Sequence, residues 1–105
     1  MLHLRVNIET VSDERLVARL KTFIGCERRL VAKVVVYLVE VERRRLHLAD
    51  ACTSMHDFCL RKLGMSDGET HRRLAAARLV TAFPQLLEAL SNGRLLLTHL
   101  VRIRS

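Results

Sequence analysis

The chain has 105 residues, half of them apolar, and its 18 Lys and Arg outnumber 11 Asp and Glu to give a net charge of +7 and a pI near 10.4. This length supports one domain around one core, and the apolar half excludes a disordered chain. The basic excess points to polyanionic partners reached through phosphate neutralisation and counterion release, although it also serves plain solubility.

In chain order, Leu2, Leu4, Val6 and Ile8 alternate with His3, Arg5, Asn7 and Glu9, which is strand periodicity. A lone strand has no partner within the chain, so residues 1–11 read as an N-terminal arm or as an edge that pairs across a dimer. Ser12 is placed to cap a first helix, with Asp13 and Glu14 favourable against the helix dipole. Leu16, Val17, Leu20, Phe23 and Ile24 follow at helical spacing, and Gly25 is the expected stop.

From Cys26 to about Leu48 there is neither Gly nor Pro, and strong helix formers predominate, so one long helix is more economical than a strand at Val34–Val39. Leu30, Val34, Leu38 and Val41 form one stripe, with Val31, Val35 and Val39 beside it. So wide a stripe predicts a central helix covered on more than one side, or a dimer seam. Arg43, Arg44 and Arg45 complement its C-terminus.

A third helix is expected over about Ser54–Leu63, burying Met55, Phe58 and Cys59, and Gly64 then supplies the left-handed turn that ends it. Ser66 and Glu69 make the S-x-x-E capping box of a fourth helix, about Asp67–Ala82. At 100° per residue Thr70, Leu74, Ala77 and Thr81 share the core face, whereas Arg72 and Ala76 point away from it. Ala75, Ala76 and Ala77 keep this helix slim. Phe83-Pro84 breaks it, a fifth helix covers Gln85–Leu90, and a last apolar segment runs from Leu95 to Ile103.

The fold class expected is therefore all-α: a five- to six-helix single domain over residues 12–105, containing a helix-turn-helix (about 54–82) packed on a long central helix (about 26–48). A helix, a glycine stop, a cap and a basic helix form the arrangement that lets a second helix lie in the major groove of DNA. Charge agrees, since residues 61–105 hold eight basic and three acidic side chains and so carry +5 of the net +7. The DNA-binding residues expected are Ser66 and Thr70, near the helix N-terminus where a phosphate is received, with His71, Arg72, Arg73 and Arg78 reaching bases or phosphates.

Several blocks together resemble a known group. ERRLVAKVVVYLVEVERRRL, S-x-x-x-F-C-x-x-x-L-G-M-S, RRLAAAR and FPQLLEALSNGRLLLTHL are similar to the helical N-terminal region of bacterial HNH endonuclease-like proteins, over about Ser12–Leu100. In that group the nuclease lies further along the chain, so the resemblance implies a non-catalytic accessory domain or a truncated relative. A weaker similarity links the turn and the P-x-x-L-x-x-x-L-x-x-G-x-L run to the helix-turn-helix of ParB-type partition proteins, which as analogy implies DNA binding.

Other chemistry fits less well. His3, His47, His56, His71 and His99 are scattered and form no His-Asn-His set. Cys52, His56 and Cys59 share a helix face but lack the paired-cysteine knuckle of structural zinc, and an apolar helix is a poor setting for a thiolate nucleophile. No enzyme activity, cofactor, metal or small-molecule substrate is expected. Three cysteines, an odd count with no apolar leader, point to reduced thiols in a cytoplasm, which the resemblance implies is bacterial, and no apolar run approaches the length of a membrane span. One tyrosine and no tryptophan suit stacking on single strands poorly, so the partner expected is double-stranded DNA, bound by a monomer or a homodimer. The alternative is a protein–protein interaction or dimerisation domain that binds no nucleic acid.

Overall fold

The computed structural model describes residues 8–49 and 51–94. From Asp13 onward the described residues form five helices in the order α1 (Asp13–Arg43), α2 (Leu46–Ala49), α3 (Met55–Arg61), α4 (Asp67–Ala82) and α5 (Leu86–Ser91), with no strand among the described residues. The protein is all-α.

The largest departure from expectation is at Gly25, where no helix ends. α1 runs 31 residues without interruption, from a cap in which the Ser12 hydroxyl accepts from the Arg15 amide to a C-terminus at Arg43. A glycine stops a helix by turning left-handed, and the left-handed glycines here are Gly64 and Gly93. In helical conformation glycine costs only about 1 kcal/mol relative to alanine, less than a break that exposes eight backbone groups. The helix also ends earlier than the expected Leu48: Arg44 closes it on the Glu40 and Glu42 carbonyls, and Arg45 then turns left-handed at φ 57°. Ala51 does the same at φ 60°, so the short α2 is bracketed by two non-glycine reversals.

At the chain's described start, Ile8 and Glu9 are helical rather than extended, so strand alternation does not hold there. The rest of the expected arm, residues 1–7, lies outside the described residues, as does the apolar segment from 95 onward.

The core forms where α4 meets the C-terminal half of α1. Val35 packs with Ala76, Ala77, Val80 and Leu90, supported by Leu86 and Leu87 of α5. Next to it, Leu38 packs with Met55, Cys59 and Leu74. α4 touches α1, α3 and α5, and this explains the alanine run. Ala75, Ala76 and Ala77 are all buried because side chains this small let three neighbours close around one helix. Ala76, expected to face away from the core, is 0% exposed, whereas Thr81, expected inside, is exposed.

The N-terminal half of α1 takes no part in this. Its first buried residue is Ala32, and before that Leu16, Val17, Leu20, Phe23 and Leu30 are all exposed. The radius of gyration, 16.8 Å, exceeds the roughly 13 Å of a compact chain of this length because this rod projects.

Candidate nucleic-acid interface

The helix-turn-helix region is built as its local chemistry requires. The Ser54 hydroxyl accepts from the Asp57 amide to start α3. At the other end Gly64 takes φ 68°, the Leu63 amide donates to the Phe58 carbonyl five residues back, and the Met65 amide beyond the glycine donates to the Cys59 carbonyl. α4 opens on a reciprocal capping box: the Ser66 hydroxyl accepts from the Glu69 amide at 3.1 Å, and the Ser66 amide donates to the Glu69 carboxylate at 3.1 Å.

That box commits a residue expected to meet phosphate. The Ser66 hydroxyl is held by its own helix, and the Asp67 and Glu69 carboxylates stand at the N-terminus a phosphate would approach. Hydrogen bonding by the Ser66 amide, and then by Arg73, lowers the Glu69 pKa from its ordinary value, so the negative charge persists there. Thr70 is fully buried, and its hydroxyl finds no hydrogen-bond partner among the described residues. It is a core residue, out of reach of any ligand.

The arginines divide. Arg73 donates to Glu69 at 3.0 Å and its side chain is only 18% exposed, so its guanidinium is spent inside the protein. Arg78 donates to the Leu74 carbonyl and lies 3.6 Å from Glu42 of α1, yet 39% of its side chain faces solvent. Arg72 folds back over the first turn of α4, where its guanidinium lies 3.1 Å from the position a Cβ on Gly68 would take. His71 is exposed. With the alanine run buried and Arg73 engaged, α4 is a central core helix and does not stand free as a rod for a major groove.

What the fold does bring together is a shallow cleft of about 360 Å³ between α3 and α4. Ser54, His56, His71 and Arg78 line it, over a floor of Met55, Leu74 and Ala75. Two imidazoles, a guanidinium and a hydroxyl thus share one surface with no carboxylate among its lining residues. The acids that steady two of these groups stand outside it: Asp67 bonds His56 at 2.9 Å, and Glu42 lies beside Arg78. Such a lining suits the oxygen atoms of a phosphate. Sequence reasoning does not select His56 for DNA, because its place opposite His71 depends on how α3 packs on α4. The i, i+4, i+7 spacing raises Cys52, His56 and Cys59 only as a zinc set, which the missing paired-cysteine knuckle already disfavours. Cys52 and Cys59 are buried and burial pushes the Cys59 thiol up, while among the described residues no three His, Cys, Asp or Glu stand together as a metal site.

No family model, curated protein or solved structure matches this chain. No described helix is long and apolar enough to cross a membrane.

Proposed function

We propose that this chain is a DNA-binding helical module that grips duplex DNA through its phosphates, using the cleft between α3 and α4. The observation that carries this reading is the union of His56, His71 and Arg78 around one carboxylate-free lining, in a chain of net charge +7. The contacts are to backbone and not to base edges, because Arg73 is consumed by Glu69 and Thr70 is buried. Arg72 adds charge beside the cleft without lining it. On the proposed kinship with the N-terminal region of HNH endonuclease-like proteins, the module is a non-catalytic accessory domain that positions a nuclease on DNA.

Fluorescence anisotropy against a random duplex at two salt concentrations tests this. Binding is expected to weaken steeply with salt, and His71→Ala with Arg78→Ala is expected to flatten the slope by about 0.9 for each phosphate that is no longer neutralised. Absence of binding at low salt, or a slope that the double variant leaves unchanged, overturns the reading.

A second reading, an assembly domain with no affinity for nucleic acid, is favoured by a separate observation: the apolar side chains left bare along the N-terminal half of α1.

A further inference from the structure

We infer that the projecting half of α1 seats a second copy of this chain, packed antiparallel with its twofold axis at Phe23. This deepens the assembly reading and does not depend on DNA binding.

Leu16, Leu20, Phe23 and Leu30 are 44, 55, 62 and 60% exposed, although their spacing of four, three and seven residues puts them on one face of α1. A helix stretch with no fully buried side chain is marginal alone in water, and these four side chains cover about 21 Å of rod. Glu27 occupies the slot in this stripe between Phe23 and Leu30. It identifies the partner and its direction. Among the described residues neither Glu27 nor Arg19 has an ion-pair partner.

A parallel copy would set Glu27 against the partner's Glu27 in the middle of the seam, an unpaired like-charge contact in the least hydrated place. The antiparallel arrangement removes that conflict. Leu16 and Leu30 lie seven residues either side of Phe23, and Arg19 and Glu27 lie four either side. Turning a second copy about Phe23 therefore brings Leu16 beside the partner's Leu30, Phe23 beside the partner's Phe23, and Arg19 beside the partner's Glu27. The same face is self-complementary in shape and in charge, which is the requirement of a twofold contact. The bundle also permits it: α1 buries its residues from Ala32 onward, so an antiparallel mate carries its own bundle at the far end of the rod.

The seam is near the small end of specific interfaces, on the order of 1,000 Å² in all, so association is expected to depend on concentration. Sedimentation velocity of the full chain without nucleic acid tests it, with circular dichroism confirming that each variant keeps its helices. The wild type is expected to dimerise as concentration rises, Phe23→Glu to weaken the dimer at least about tenfold, and Arg19→Glu to weaken it several-fold. Adding Glu27→Arg to Arg19→Glu is expected to restore the dimer, because the swapped charges meet again only in the antiparallel register. A wild type that stays monomeric at every concentration overturns both this proposal and self-assembly through α1. A dimer indifferent to Phe23→Glu, or a charge swap that fails to rescue, overturns this seat while leaving assembly through another surface. Neither result bears on duplex binding, which the anisotropy experiment reads separately.

Discussion

The two halves of α1 are chemically alike and structurally opposite. Both carry large apolar side chains at helical spacing, yet Val35 and Leu38 are sealed under α4 and α3 while Leu20 and Phe23 stand in solvent. Periodicity shows which face of a helix is apolar; it does not show whether the chain itself supplies the covering surface. In the C-terminal half the slim α4 supplies it, because its alanines let α1 approach. No described element covers Leu16, Leu20 or Phe23, so helicity there rests on the cap, on propensity and on continuity with the packed part.

The sharpest way to break this comparison is to place the same charge in each half. Val35→Glu is expected to cost more than about 4 kcal/mol and to unfold the domain, since a buried carboxylate there has no partner. Phe23→Glu is expected to leave monomer stability within about 0.5 kcal/mol of wild type, as an exposed site should. Chemical denaturation at low protein concentration, where assembly plays no part, measures both. Equal losses at the two sites would show that the N-terminal half is covered after all.

A subtler probe enlarges alanines. Ala76→Leu is expected to destabilise by about 1–3 kcal/mol through overpacking, because α1 and α5 both close on that fully buried site, whereas Ala18→Leu on the exposed half changes little. Thermal melts followed by circular dichroism distinguish them.

Smaller still are the caps. Ser66→Ala removes one arm of the capping box and is expected to cost about 1 kcal/mol in global stability. Ser12→Ala removes a comparable bond at the start of α1 but should only fray the free end, which hydrogen exchange would detect as faster amides over residues 13–16 without a lower melting point.

The weakest expected effect is of pH. Hydrogen bonds from Arg43 and then Arg44 hold the Glu40 carboxyl down to about 2, against an ordinary value of 4.5. A carboxyl depressed on folding stabilises the folded state fully above its ordinary value, so this contribution is present above about pH 4.5 and is lost as pH falls toward about 2. Glu40→Gln should flatten that part of a stability-against-pH curve, and the exposure of the group keeps the change small.

Most of what is legible in the sequence is local chemistry. The Ser12 and Ser66 caps, the left-handed Gly64 and the bounds of α4 each depend on residues three or four positions apart, and each is readable without knowing the fold. Gly25 misleads because a glycine can end a helix or merely weaken it, and the choice depends on the remaining stabilisation along α1. Ala76 misleads for a different reason: a projection finds one buried face, and α4 has more than one. The candidate site is legible only in part. His71 and Arg78 do line the cleft, but their joining with His56, and the withdrawal of Thr70 into the core and of Arg73 onto Glu69, follow from packing and ion pairing that no spacing encodes.

An unbroken α1 also acts as a ruler. Val35, where the bundle is rooted, sits twelve residues beyond Phe23. In a pair closed about Phe23 the two roots are therefore separated by about 36 Å along a shared rod, at the helical rise of 1.5 Å per residue. A kink at Gly25 would shorten that span, so the helicity of this one glycine sets how far apart a twofold pair holds its two bundles.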